Sequence, residues 1–239
     1  MKKVYTFILF TFVTIFAAKG QQSLFNVPSS EITKQKGFFL QEQLNFNDII
    51  QSNLTLDWGL GKGWEIGTNI VGVDYSLPQK KMIDNDAIEG EAYAPLVLLN
   101  IQKGFTLSEH FKFGIGTQNG FNVTQVRNPQ FAHFSFVNVV TSFHEDRIHL
   151  TTGYYYGNTR YLGEGNSSGP MLGAEAAIIP QKLSLMADWI HGNHDLGVSV
   201  VGFVWYPTKR LPLSFGWQTP NQENGNASAF VFEITFLPK

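Results

Sequence analysis

Residues 53–70 read NLTLDWGLGKGWEIGTNI, and their large apolar side chains fall on every second position. The alternation runs through two segments joined by Gly61, Lys62 and Gly63, and it places these residues on one side: Leu54, Leu56, Trp58, Leu60, Trp64, Ile66 and Ile70. A period of two indicates β-strands, and a short Gly-rich connection indicates a hairpin. The apolar side is either the core side of a soluble sandwich or the lipid side of a membrane barrel.

The composition favours a surface that does not face water. Hydrophobic residues make up 43% of the 239-residue chain and aromatic residues 14%, whereas charged residues make up only 15%, compared with about 25% in soluble domains. No linker or low-complexity tract divides the chain, so one domain is predicted. The net charge of -2 argues against nucleic acid as a partner. The absence of cysteine excludes disulfides, thiolate metal sites and a cysteine nucleophile.

The N-terminus has the layout of a secretory signal peptide. Lys2 and Lys3 precede an apolar run of about 15 residues, shorter than the roughly 20 that span a bilayer, and Ala18 and Gly20 form a small-residue cleavage signal. A retained anchor is the alternative. We predict a signal peptide over residues 1–20, a polar N-terminal lead-in over residues 21–36, and a barrel over residues 37–239.

Apolar and polar residues alternate along most of the remaining chain, in segments of about ten residues. We count about twelve such segments, an even number as in bacterial outer-membrane barrels. Short connections at 61–63, 106–110, 144–147, 180–182 and 207–210 alternate mostly with longer polar ones at 76–91, 118–130, 157–169 and 219–228. This asymmetry is typical of periplasmic turns and external loops. The predicted fold is an all-β, transmembrane, antiparallel up-and-down β-barrel. The facing of residues 196–206 stays open, because both parities are apolar.

Tryptophans lie near the ends of several predicted strands. Trp58 and Trp64 flank a short turn, whereas Trp189 and Trp217 lie at the loop ends of their strands. Tryptophan is enriched at both membrane–water interfaces, so we predict that the four belong to aromatic girdles.

The polar parity predicts a lumen with an excess of acidic side chains. The predicted lumen-lining residues are Asp57, Glu65, Asn69, Lys112, His133, His149, Glu175, Asp188 and Glu233. An acidic pore would favour cations, although the same carboxylates could instead be buried partners in a plugged lumen. Inward glycines leave space inside the barrel.

No constellation in the sequence predicts an enzyme or a metal site. His133 and Ser135 resemble the His and Ser of barrel-embedded lipid hydrolases, but Asn-Gly does not follow the serine and the next strand places no matching Asn or Glu. We interpret the pair as lumen-facing polar residues. His191, His194 and Asp195 could bind a metal only with a further ligand, so no metal or other cofactor is predicted.

The hairpin LTLDWGLGKGWEIGTNI, the strand FKFGIGTQNG and the last strand FVFEITF resemble small outer-membrane barrels associated with the meta pathway of phenol degradation, and more loosely porin-like barrels of Gram-negative bacteria. A departure is that Leu237, Pro238 and Lys239 follow the aromatic Phe236, with which such barrels usually end. The resemblance implies an outer-membrane location, contact with lipid and the barrel-assembly machinery, and passage of small solutes. A plugged structural or surface-interaction barrel is the alternative, and a lipid-acting enzyme is a further one.

Overall fold

The computed structural model describes residues 24–85, 92–124, 130–221 and 226–237, which are almost entirely β-structure. The strands are β1 (Phe38–Phe46), β2 (Ile49–Gly61), β3 (Trp64–Ser76), β4 (Lys81–Ile83), β5 (Leu96–Thr106), β6 (Phe111–Asn122), β7 (Phe131–Phe143), β8 (Ile148–Gly157), β9 (Ser168–Ile179), β10 (Leu183–Ile190), β11 (Val198–Thr208), β12 (Leu211–Pro220) and β13 (Ala229–Phe236). A short helix, α1 (Thr159–Leu162), lies between β8 and β9. The predicted signal peptide lies outside the described residues.

The sheet closes on itself as an antiparallel barrel of twelve strands. Each strand pairs with its neighbours in the chain, β3 pairs with β5, and β1 closes the ring by pairing with β13 from Leu40↔Phe236 to Phe46↔Phe230. Strand β4 is an extra strand that pairs only with the end of β3. Closure gives every strand of the ring two partners and removes exposed edges. The predicted fold class is confirmed.

The opening hairpin shows how the alternation builds the wall. Leu56 is 48% exposed on the outer surface, whereas Asp57 next to it is buried on the inner side. Trp58 and Trp64 are likewise exposed on either side of the turn, in which Gly61 and Gly63 adopt positive φ angles. The same outward placement of large apolar side chains recurs around the ring, so the outside of the barrel is apolar.

The connections are short at one end of the barrel and mostly longer at the other, as predicted. Two residues join β2 to β3, and two join β11 to β12, at the same end at which β1 begins. The longer connections hold β4 and α1 at the opposite end. None of the helices in the described ranges is long and apolar enough to cross a membrane.

The inside of the barrel contains a hydrophobic core, part of which comes from the residues before β1. Leu24, Phe25 and Val27 are buried together with Phe134 and Tyr155, among others. We call residues 24–36 the lumen segment. The core also explains β11, whose facing the sequence left open. Its inward residues include Val200 and Val204, which join this core, whereas Phe203 and Trp205 point outward.

Strand β7 has the opposite facing to the one predicted. Phe134 and Phe136 are buried inside the barrel, where Phe134 stacks on Tyr155 and Tyr161. His133 and Ser135 therefore point outward. The sequence pattern was ambiguous because large apolar residues occur on both sides of this strand. The inward phenylalanines pack against the core inside the barrel, which the alternation of residues along one strand does not reveal.

Candidate functional site

The lumen segment runs into the barrel from the end with the short turns. Its last residues are fixed to β2, where Lys36 N donates to Gly59 O over 2.9 Å and Gly59 N donates to Gly37 O over 3.1 Å. From there the chain runs back inside the lumen, so that Leu24 approaches Gly173 on β9 and Phe25 approaches Gly216 on β12. The segment that the sequence described only as a polar lead-in thus lies inside the barrel.

Two of the predicted lumen carboxylates hold this segment by its backbone. Glu65 Oε2 accepts a hydrogen bond from Thr33 N over 2.7 Å. Asp188 Oδ2 accepts from Asn26 N over 2.5 Å and from Val27 N over 2.9 Å. Charged acceptors give stronger hydrogen bonds than neutral ones, and here they satisfy backbone donors that are buried from water. These two acids are therefore anchors for the lumen segment.

Side chains of β5, β6 and β7 hold the middle of the segment. Lys112 forms an ion pair with Glu31. Asn138 Nδ2 donates to Pro28 O over 2.6 Å, while its Oδ1 accepts from Ser30 Oγ over 2.5 Å. Gln102 Nε2 donates to Ser29 O over 2.6 Å. Polar groups on both sides of the contact are thereby satisfied, as buried polar groups must be.

Inward glycines make the room that the segment occupies. A Cβ added at Gly59 would overlap the carbonyl oxygens of Thr33 and Lys34, and one at Gly104 would overlap the side chain of Ile32. The same is true of Gly173 against Leu24 and of Gly216 against Phe25, and a Cβ at Gly114 would come within 3.2 Å of Ser30. The space that the inward glycines predicted is real, but protein fills it.

Contacts with the lumen segment come from strands all around the ring. They involve β1, β2, β3, β5, β6, β7, β9, β10 and β12, which are nine of the twelve strands of the barrel. A chain that touches opposite walls of the barrel crosses its bore. The lumen segment therefore obstructs the passage on the side of the short turns.

A cavity of about 230 Å³ lies beside the lumen segment, and its lining extends from Phe39, Asp57 and Glu65 near the short turns to Tyr161 and Asp195 at the loop end. Phe25, Asn26 and Pro28 of the lumen segment form part of its boundary. Side-chain amides from several strands dominate its wall: Gln41, Gln43, Asn45, Gln51, Asn53 and Gln218. Phe134, Phe136 and Tyr161 contribute aromatic rings. Amides can both donate and accept hydrogen bonds, so this lining suits a small polar solute that carries some apolar surface.

The longer connections lie at the loop end of the cavity and are held by contacts with one another and with the barrel wall. Tyr161 of α1 donates to Gln118 Oε1 over 3.1 Å, and Asp195 Oδ2 accepts from Ala92 N over 2.7 Å. Burial raises the pKa of Tyr161, and it lowers the pKa of His194 to about 4. The neutral ring of His194 lies 2.5 Å, through Nε2, from the hydroxyl of Tyr155. These contacts tie the loop at residues 191–197 to the barrel.

Most of the predicted lumen residues point inward. Asp57 accepts from Asn100 Nδ2 over 2.8 Å, Asn69 also pairs with Asn100, and Tyr206 donates to Glu175 over 3.2 Å. His149 Nδ1 lies 3.2 Å from Ser142 Oγ, and Glu233 is fully buried. The exception is His133, which lies on the outer surface because β7 turns its phenylalanines inward. The set does not form one open ring of carboxylates.

The predicted girdle residues lie on the outward parity of their strands. Trp58, Trp64 and Trp217 are exposed, and Trp189 is half-buried because its Nε1 donates to Asn221 Oδ1 over 3.0 Å. Trp205, which the sequence left unassigned, is exposed near the short turn after β11. In the described ranges, no three His, Asp or Glu side chains are grouped closely enough to hold a metal ion.

The comparisons with known proteins support the architecture. No family model and no curated protein matches the sequence. Among solved structures, the chain is similar to a NanC porin, with a TM-score of 0.55 and 9% identity, over 84% of this chain and 99% of that one. A weaker similarity, with a TM-score of 0.48 and 10% identity, relates it to outer membrane phospholipase A from Escherichia coli, over 86% of this chain and 97% of that one. At these identities the similarity shows the fold alone, and it is the fold of outer-membrane β-barrels.

Proposed function

We propose that this chain is an outer-membrane barrel that takes small polar solutes into its internal cavity and that its own lumen segment keeps the passage to the periplasm closed. The observation that carries the proposal is the course of residues 24–36 across the bore, with backbone anchors on Glu65 and Asp188. The apolar outer surface supports contact with membrane lipid. The cavity supports solute binding because its wall is rich in amides.

Passage through the barrel would require the lumen segment to move. Its anchors are individually modest, since a hydrogen bond to a charged group contributes about 1.5–3 kcal/mol. Movement would also release Glu65 and Asp188 from their backbone donors and leave them, with Asp57, along the aqueous path. The opened barrel would then prefer cations, as the acidic excess predicts. The resemblance to barrels of phenol degradation fits the aromatic rings in the cavity wall, and it adds small aromatic compounds to the candidate solutes.

Loss of the anchors should convert a closed barrel into a conducting one. In planar bilayers we expect rare openings from the parent protein and at least about tenfold more frequent openings when Glu65→Ala is combined with Asp188→Ala. The physical reason is that Asn26, Val27 and Thr33 lose their acceptors. Cation selectivity is expected only where the acids remain, as in the barrel opened by deletion of residues 24–36. Glu175→Ala is the matched control, because it removes an inward acid whose partner is Tyr206 of the barrel wall.

Deletion of residues 24–36 gives the second arm of the experiment. We expect steady openings from the deleted barrel and the same unfolding behaviour as that of other folded barrels in vesicles. A correctly folded deletion variant that never conducts would contradict a role in passage, and it would favour the alternative of a structural barrel without transport. Steady conductance of the parent would contradict closure by the lumen segment.

A further inference from the structure

Four polar side chains form a connected cluster on the outer surface of the barrel, on two neighbouring strands. Thr117 and Asn119 belong to β6, and His133 and Ser135 belong to β7. The strand register pairs Asn119 with His133 and Thr117 with Ser135. We call these four residues the outer cluster. Its side chains lie on the outward parity of β6 and β7, and none of them contacts the lumen segment in the hydrogen bonds described above.

The outer cluster has the geometry of an activated serine. Ser135 Oγ lies 3.2 Å from His133 Nε2, and His133 Nδ1 lies 2.6 Å from Asn119 Oδ1. One tautomer suits both contacts: Nδ1–H donates to the asparagine oxygen, and Nε2 is left as an acceptor for the Ser135 hydroxyl once that hydroxyl turns from Thr117 Oγ1, to which it donates over 2.9 Å. This is the relation of nucleophile, base and orienting group on which acyl-transfer enzymes rely.

A fourth residue fixes the orientation of the asparagine. Asn119 Nδ2 donates to Thr117 Oγ1 over 2.9 Å, and Thr117 Oγ1 donates to Phe134 O over 3.1 Å. The amide nitrogen of Asn119 is thereby occupied, which leaves its oxygen for His133. The strand after Ser135 carries no matching Asn or Glu in the sequence, whereas the sheet supplies the third group from the strand before.

The surroundings of the outer cluster are apolar. Towards the loop end, Phe121 and Phe131 form an edge-to-face pair 5.7 Å apart, and towards the short turns Ile115 and Val137 are exposed. The ring of Tyr156 lies beside His133 at 5.8 Å. Polar groups that face hydrocarbon are costly unless they are satisfied. His133 and Ser135 lie two and four residues from the loop end of β7.

We propose that Ser135, His133 and Asn119 form a hydrolytic site for the acyl esters of membrane lipids. Ser135 Oγ attacks the ester carbonyl carbon while its proton passes to His133 Nε2. The carbon–oxygen bond to the alcohol breaks, and the alcohol leaves with that proton. Water then attacks the acyl-serine and gives a proton to His133, which returns it to Ser135 Oγ as the carboxylic acid departs. Thr117 Oγ1 accepts from Ser135 Oγ over 2.9 Å, and its own hydroxyl must turn from Phe134 O to donate to the oxyanion.

This site differs from the expectation that the chain has no catalytic residues. Ser135 and His133 are the catalytic residues of the proposal, and Asn119 is a positioning residue that acts through His133. The chain also offers an internal comparison. Ser142 and His149 form a second serine–histidine pair at 3.2 Å on β7 and β8, but this pair points into the barrel, away from lipid.

The test measures fatty acid released from phosphatidylcholine vesicles that contain the folded full-length barrel, together with labelling of Ser135 by a long-chain fluorophosphonate. We expect Ser135→Ala and His133→Ala to lower release at least about 100-fold and to abolish labelling at this position, whereas Ser142→Ala stays within about twofold of the parent. Asn119→Ala should lower kcat with little change in KM, and Asn119→Asp should restore it, because a carboxylate also accepts from Nδ1–H.

Folding of each variant is checked by its heat-modifiable mobility on gels. The proposal is overturned if the folded parent neither releases fatty acid nor reacts with the fluorophosphonate. It is also overturned if Ser135→Ala releases fatty acid at the parental rate, or if Ser142→Ala removes the activity.

Discussion

Arginine in place of Leu56 or Phe232 is expected to lower the free energy of unfolding by about 2–4 kcal/mol if the site lies near the bilayer midplane. Leu56 is 48% exposed on the outer surface of β2. Phe232 lies on the same surface of β13 and contacts the ring of Phe215 at 5.3 Å. A guanidinium at either place must be dehydrated or must reach the interface, and both cost free energy. Unfolding titrations in lipid vesicles measure the loss.

The control for this prediction is Leu77→Arg. Leu77 is as exposed as Leu56, but it lies in the turn after β3, beyond the wall of the barrel. We expect a change of less than about 0.5 kcal/mol there, as for ordinary surface substitutions. Equal stability of all three arginine variants and the parent would show that the outer surface does not contact lipid.

Gly59→Ala is expected to destabilise the full chain by about 1–3 kcal/mol, the usual cost of overpacking. The added methyl group would collide with the backbone carbonyls of Thr33 and Lys34, which cannot rotate away as a side chain could. The collision exists only while the lumen segment occupies the barrel. Equilibrium unfolding of four chains, with and without Gly59→Ala and with and without residues 24–36, isolates this interaction as a double-mutant cycle.

In that cycle the cost of Gly59→Ala should disappear once residues 24–36 are deleted. Gly202→Ala provides a comparison, because a Cβ there would meet Phe215 and Gly216 of the neighbouring strand instead. The loss of stability caused by Gly202→Ala should be the same with and without residues 24–36. An unchanged cost of Gly59→Ala in the deleted chain would mean that the wall of the barrel, and not the lumen segment, requires the glycine.

The barrel itself could be predicted from the sequence because its physical rule is local. Successive side chains of a strand point to opposite sides, so the alternation in β2 and β3 shows directly which residues leave the water. The alternating lengths of the connections then fix which end of the barrel each turn occupies. The rule failed at β7 and gave no answer at β11, where large apolar residues occupy both sides. In both strands the inner set packs against a core that includes Phe25 of the lumen segment.

The position of the lumen segment could not be predicted, because its partners are distant in the sequence. Val27 and Asp188 are 161 residues apart. Two signals pointed towards it: the row of inward glycines and the acidic excess without matching bases. The glycines and the acidic excess are equally compatible with an open acidic pore. Only the folded barrel shows that Glu65 and Asp188 accept hydrogen bonds from backbone N–H groups of the lumen segment.

The outer cluster shows a different limit of sequence reasoning. His133 and Ser135 were recognised because they are two residues apart, but Asn119 joins them only through the register of β6 against β7. Register depends on the turn geometry and on the burial of whole strands. A third residue on either neighbouring strand could complete such a site, and spacing along the chain does not say which.

The central claim is that residues 24–36 lie inside the barrel, and the most direct measurement is a disulfide across that contact. A Cβ at Gly114 would lie 3.2 Å from both Cα and Oγ of Ser30, and 2.6 Å from Oδ1 of Asn138, a side-chain atom that can rotate away. Cysteines at positions 30 and 114 are therefore within reach of a disulfide, and the natural chain has no cysteine to interfere. After oxidation of the folded chain that carries Ser30→Cys and Gly114→Cys, we expect no thiol to react with a maleimide and the mass to fall by two hydrogens. The pairing of Ser30→Cys with Gly216→Cys, across the lumen, should leave both thiols reactive. Free thiols in the first chain, measured in a folded barrel, would contradict the account.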